Sequence, residues 1–319
     1  MMRKLLITYA AVLLVISFAS PGWGAGKLVA AVLTSDMNRY REAYQAFVKT
    51  LAAKGFDQQS VEIVTQTPNP DPISWANSVR KLNALAPDVM VTFGAPATLA
   101  AMGETHNIPI VFADVYGPVE VGITRSLTRS GSNVCGASSK IPMTTLIKTM
   151  VDIRPVKSLG VLYNNREAGA LVQLKELKRL AAEQGFAVVE ANVSASAGLD
   201  TALAYLLSRA DCIFVSESSV VGRNLEKIVR KATEHRMPVI SLIPGAAEKG
   251  TLVSLEVSAN EQGQLAGDYV AKILAGKKPG EFPVGTPRKV ELIINLQAAK
   301  ALNLPVPFRV LSAVTKVLK

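Results

Sequence analysis

Aromatic residues make up only 6% of this 319-residue chain, which carries just two cysteines and two histidines. Cys135 and Cys212 form no CxxC and join no Cys/His cluster, which excludes a structural zinc site, and no other metal site is expected. Both sit in apolar strand-like contexts, "NVCGAS" and "DCIFVS", where cysteine packs as a small hydrophobe. Two free thiols are the expectation. GxSxG, HExxH, the P-loop and GxGxxG followed by an acid are all missing. His106 and His235 precede strands, at the sheet edge away from the strand ends where serines fall, so a Ser–His–Asp arrangement fails on geometry. No catalytic residues and no cofactor are expected, and the chain does not read as an enzyme. Beyond residue 24 no apolar run approaches the roughly 20 residues of a membrane-spanning helix. Low-complexity segments are absent too, which argues against global disorder.

What is present begins with a leader pattern. Arg3 and Lys4 precede an apolar run from Leu5 to Phe18, and "ASPGWGA" breaks it. A short cationic region, an apolar core and small residues at the break describe a secretory signal peptide over residues 1–24, with cleavage near Gly24–Ala25. No cysteine lies there to carry a lipid anchor. The expectation is an exported, periplasmic, monomeric protein. Formal charge is +10, and losing Arg3 and Lys4 leaves +8. The excess is greatest from Gly276 to Lys319, where eight Lys/Arg face Glu281 and Glu291. They occur singly or in pairs without interleaved aromatics, so this is a solvated basic face and no nucleic-acid partner is expected.

Hydrophobic residues, 49% of the chain, are ordered as alternating strands and helices. Strands are expected at 27–33, 60–66, 88–94 and 108–115, with helices at 39–55, 71–85 and from Pro96. After Asn133 the order restarts. Strands "SLGVLYN", "FAVVEANV", "DCIFVSE" and "MPVISLI" alternate with helices, the last being "SVVGRNLEKIVRKATEHR" read as one helix. The endings agree in detail, "ETHNIPIVFAD" against "TEHRMPVISLI", so His-x-(Ile/Met)-Pro recurs at the entry of equivalent strands. The fold class is α/β, with two Rossmann-like lobes built on parallel sheets. Extra elements follow: strand 251–258, helix 260–277, strand 289–295 and the short helix "LQAAKALN". They suggest that the chain crosses back between lobes, near Asn133–Ser139, Ser258–Asn260 and Arg288–Glu291. Lobe 1 then spans residues 25–138 plus 259–289, and lobe 2 spans 139–258 plus 290–319.

In open parallel sheets, ligands bind beyond the carboxyl ends of the strands, at helix N-termini. The first lobe's edge would present Ser35 and Asp36, then Gly94, Ala95 and Pro96, then Asp114, Val115 and Tyr116. The second would present Asn164 and Glu167, then Ser216, Glu217, Ser218 and Ser219. Gly94–Pro96 and Ser216–Ser219 both open helices and offer N–H donors to an anion. Asp36, Asp114, Glu167 and Glu217 are acids that would hold an ammonium, and Tyr116 offers an aromatic wall. Donors for an anion beside acceptors for a cation suit a zwitterion such as an amino acid.

With this map drawn, the sequence resembles the solute-binding proteins of ABC importers, in the branch with tryptophan- and tyrosine-binding members. The likeness rests on "PDVMVTFGAPATLAA", "IPIVFADVYGPVEVGI", "GSNVCGAS", "SLGVLYNNREAGA", and "GQLAGDYVAKILAGKKPGEFPV" leading to "ELIINLQAAKALNLPVP". It implies a type I periplasmic-binding-protein fold, two lobes joined by three crossing segments that close on a small molecule, with ABC permease subunits of the inner membrane as partners. A ligand-sensing module reporting to a receptor is the alternative. Gly94, Ala95 and Pro96 match the family's Gly-Thr-Pro turn with Ala for Thr, and Pro118 matches an Asp-Pro-Val segment in which Gly117 replaces the Asp. Asn164 and Glu167 match the family's strand end and the acid after it. Ser216–Ser219 stand where relatives carry Asp-Asn, with Glu217 as the substitute acid, and Ser258 and Asn260 replace an Asp-Tyr. These departures imply a pocket that differs from those of the relatives.

Overall fold

The computed structural model describes residues 26–319; the expected signal peptide, residues 1–24, lies outside the described residues. The first half runs β1 (Lys27–Leu33), α1 (Asn38–Ala53), β2 (Val61–Gln66), α2 (Pro72–Asn83), β3 (Val89–Phe93), α3 (Ala95–Glu104), β4 (Ile110–Val115) and β5 (Val134–Ser138). The second runs α4 (Met143–Ile153), β6 (Ser158–Tyr163), α5 (Ala168–Gln184), β7 (Ala187–Asn192), α6 (Leu199–Leu207), β8 (Cys212–Val215), α7 (Ser219–Arg223), α8 (Leu225–Glu234), β9 (Val239–Ser241) and β10 (Val253–Val257). The chain ends through α9 (Ala259–Leu274), β11 (Val290–Asn295), α10 (Leu296–Ala301), α11 (Phe308–Ala313) and β12 (Lys316–Leu318).

Two sheets result, ordered β2-β1-β3-β4-β5 and β12-β11-β10-β9-β8-β6-β7. Every pairing is parallel except β10 with β11. β3, β4 and β8 are buried along their whole length, as unbroken apolar strands covered on both faces should be. The repeat seen in the sequence is exact in its hydrogen bonds. Met90 N–H donates to Pro109 O at 2.8 Å in one lobe, and Ile213 N–H to Pro238 O at 2.9 Å in the other. Asp88 accepts from Leu28 N–H, and Asp211 accepts from Ser158 N–H, at 2.8 and 2.9 Å.

α9 leaves β10 and returns to pack along α1. Gly263 and Gly267 make that approach possible, since a Cβ on Gly263 would stand 1.9 Å from Ala43 O. Cys135 and Cys212 are buried in different sheets as free thiols. Among the described residues no helix is long and apolar enough to cross a membrane.

The structure departs from the sequence reading at several elements, the unexpected α11 among them. The expected helix after Ser219 is two, because Asn224 leaves helical geometry at φ −99°, ψ 11°, and its side chain donates to Val220 O at 2.8 Å. A side chain bonding a carbonyl four residues back competes with the helix ladder. α4 was not anticipated; Thr144, Thr145 and Val151 dilute its helical propensity, while its burial of Leu146, Ile147 and Met150 compensates. β12 closes the second sheet's edge with only three residues, too few for a sequence pattern.

Candidate functional site

The lobes meet at the carboxyl ends of β1, β3 and β4 on one side and β6 and β8 on the other. Gly94 shapes the first rim. Its φ of +93° lies where residues with a Cβ are strained, and a Cβ there would stand 2.6 Å from Tyr40 Oη and 2.7 Å from Thr34 Oγ1. α3 therefore starts tight against α1, with Pro96 in its first turn and Ala97 N–H donating to Thr34 Oγ1 at 3.3 Å. Asp114 follows at the end of β4 with φ +55°, an uncommon left-handed conformation for a residue with a side chain. Gln262 of α9 holds it there, accepting from Asp114 N–H and donating to Ser138 O, both at 3.1 Å.

The first turn of α1 supplies two residues that pattern reading missed. Arg39 and Tyr40 are buried at the lobe boundary, and Arg39 Nη2 donates to Tyr40 Oη at 2.8 Å. Arg39 Nε lies 3.2 Å from Asp114 Oδ2, and Nη1 donates across the boundary to Glu217 Oε1. Glu217 is held from its own side by Gln173 of α5, whose amide donates to Oε2 and accepts from Glu217 N–H at 3.1 Å. One guanidinium thus bridges an acid from each lobe.

Burial governs the ionisation of this cluster. It raises Glu217 to about 7, against the pull of Arg39 and with the help of Asp114. It raises Asp114 as well, Arg39 opposing. Burial also works against the Arg39 charge, but Asp114, Tyr40 and Glu217 outweigh it and the guanidinium stays firmly protonated. Further pairs join the lobes, Tyr116 Oη to Glu176 at 2.9 Å, Asp36 to Arg223 at 2.6 Å, and Glu120 to Lys140. Asp36 and Arg223 are well exposed, and such a pair contributes about 0–1 kcal/mol.

A cavity of about 20 Å3 remains inside the boundary, lined in part by Arg39, Tyr40, Asp114, Glu167 and Glu217. That is close to the space of one water. Beside it a groove of about 790 Å3 opens between the N-terminus of α1 and the loops after β9 and β10. Arg39 lines both.

Of the residues singled out in the sequence, Ala95, Pro96, Asp114, Tyr116, Glu167 and Glu217 come together at the cavity. Asp36 and Ser258 line the larger groove instead, and Ser258 also caps α9 by accepting from Glu261 N–H at 3.3 Å. Ser35 is buried with an unpartnered hydroxyl, and Val115 belongs to the core. The donors expected from the second rim are spent within lobe 2. Glu167 accepts from Ser219 N–H at 2.8 Å and from its hydroxyl at 3.2 Å, and also from Asn164 at 3.1 Å. Ser216 and Ser218 bond to each other at 3.0 Å. Arg39 was missed because an arginine in "NRYREAY" reads as solvated helix surface, although the strand-end rule that selected Ser35 and Asp36 reaches it three residues later.

Two α/β lobes closing a polar boundary at their strand ends define a bilobal binding protein of the type I periplasmic class. The chain belongs to the ABC transporter substrate binding protein family, whose description matches residues 28–318. This is a family of substrate-binding proteins, not of enzymes. A "Tyrosine-binding protein" of Clostridioides difficile is 28% identical over 265 residues, 82% of this chain and 77% of that one. A conserved domain protein from Vibrio cholerae is 30% identical, with a TM-score of 0.88 over 92% of this chain and 100% of that one. An ABC domain from Streptococcus pneumoniae in complex with L-Trp has a TM-score of 0.87 at 22% identity, over 92% and 100%.

Proposed function

We propose that the protein is exported to the periplasm by cleavage of residues 1–24 and works there as a monomer. It captures a small organic solute, an amino acid or a related molecule, between lobe 1 (25–138 plus 259–289) and lobe 2 (139–258 plus 290–319). The solute then passes to the permease subunits of an ABC importer. The observation that carries this reading is the buried ionic cluster at the boundary, built from Arg39 and Asp114 on one lobe and Glu217 on the other. Closing the lobes takes these charges out of water at a cost that their pairing offsets, so what fills the cluster biases closure. The ligands of the Clostridioides and Streptococcus proteins support the amino-acid class.

A thermal-shift screen over amino acids and related solutes tests the reading. A bound solute at a hundred times its Kd stabilises by about 2.7 kcal/mol, a clear rise in Tm. Small-angle scattering should show compaction with the same solute. A screen without a hit among amino acids overturns the ligand class.

A further inference from the structure

Four charged side chains face the inner cavity: Arg39 against Asp114, Glu167 and Glu217. Glu167 is fully engaged by Ser219 and Asn164, which leaves Asp114 and Glu217 around the guanidinium. Arg39 serves them unequally. Asp114, 2% exposed, has Arg39 Nε 3.2 Å from Oδ2 as an ion pair without hydrogen-bond alignment, and the Ser139 hydroxyl is its other polar neighbour. A buried carboxylate held by an ion pair without well-aligned hydrogen bonds is under-satisfied, and this one lines the cavity. A cation with freely rotating donors would satisfy both acids better than a guanidinium tethered to α1.

We propose that Asp114 and Glu217 form a cation subsite that Arg39 fills when the lobes meet, and that a solute of net positive charge, bearing an ammonium or guanidinium group, takes its place. This deepens the proposed function and rests on the cleft being the solute site. Space requires the exchange, because about 20 Å3 holds no organic solute and Arg39 is the side chain shared with the 790 Å3 groove. Glu42 on the groove wall receives the displaced guanidinium, since Asp36 there pairs with Arg223 and Glu256 accepts from Gly245 N–H and the Ser254 hydroxyl. Charge favours a net cation over a zwitterion. A solute carboxylate would join three acids, and the N–H and hydroxyl of Ser219 are already given to Glu167.

The test is calorimetric titration of the whole mature chain with L-arginine, L-lysine and putrescine, and with L-leucine, L-tyrosine and L-tryptophan. At least one cationic probe should bind tenfold or more tighter than every zwitterion. Arg39→Met, which keeps bulk and removes charge, should tighten that probe about tenfold, and Glu217→Gln should weaken it about tenfold. Tighter binding of a zwitterion overturns the cation subsite and leaves the cleft reading standing. Loss of binding in Arg39→Met also overturns it, since Arg39 would then be holding the solute's carboxylate. Should Arg39→Met not fold, the wild-type charge series and Arg39→Lys still decide. No binding by any of the six probes overturns the subsite and the amino-acid reading together.

Discussion

Arg39 Nε stands 3.2 Å from Asp114 Oδ2 within one lobe, while the same guanidinium donates to Glu217 of the other. The lobe boundary is therefore held by a charge that belongs to one side and is shared by both. Removing one partner of a buried pair leaves the other uncompensated, typically a loss of about 3–5 kcal/mol. Here the lobes have an escape, because opening returns Arg39 to water. Glu217→Ala should accordingly open the lobes more than it unfolds them. Scattering should give a larger radius of gyration, with Tm lowered by only a few degrees; a collapse in Tm without opening would contradict this.

Glu217 also makes the boundary sensitive to pH. It is charged against Arg39 and faces Asp114 and Tyr116, and burial raises it from its ordinary value to about 7. A carboxyl raised in the folded state binds its proton more tightly there than when unfolded. Its contribution to stability is thus full below about 4.5, falls as pH rises to about 7, and is then constant. Asp114 and Glu167 shift in the same direction. Denaturant titrations of wild type and Glu217→Gln between pH 5 and 8 should differ by a curve that declines and levels near 7. Parallel profiles would show that Glu217 stays charged throughout.

Gly94→Ala should destabilise the first lobe by about 2–4 kcal/mol, since strain at φ +93° adds to a clash with Tyr40 and Thr34. Tyr40→Phe removes the nearer oxygen but not the strain, so it should restore only part of the loss in Gly94→Ala. Full restoration in the double variant would show that sterics alone require this glycine.

The boundary also has an apolar contact that can be tuned. A Cβ on Gly222 would stand 2.5 Å from Met37 Cε, the flexible end of a side chain from the other lobe. Gly222→Val should hold the lobes apart and weaken solute binding about tenfold while leaving Tm within a few degrees. Met37→Ala in the same chain should bring affinity back. Additive losses would place Gly222 outside the closing surface.

Much of the fold could be read from the sequence because its strongest signals are local. Unbroken apolar runs such as "DVMVTF" fix a buried parallel strand, and the two His-x-(Ile/Met)-Pro entries mark equivalent positions that share a backbone bond through Pro109 and Pro238. What escaped depends on partners distant in sequence. Arg39 becomes an interior charge only through Glu217, 178 residues away, and Gln262 reaches Asp114 across 148. Glu167 and Ser219 were each selected as ligand contacts, yet their pairing across 52 residues satisfies both within lobe 2. Asn224 was hidden by the strong amphipathicity of α8, which begins directly after it.

The return of α9 has a consequence for how the protein is made. Gly263 and Gly267 press it onto Ala43, Phe47 and Thr50, so the apolar face of α1 has its proper cover only once residues 259–274 exist. The lobe that a ribosome begins first is thus completed only after most of the second has been made. Nascent chains that stop between β5 and α9 expose the side of Ala43, Ala46 and Phe47 that α9 covers, the sort of surface that aggregates or recruits chaperones. The two lobes are therefore interleaved in synthesis, and the helix that returns to finish the first is the one closed up by two glycines four residues apart.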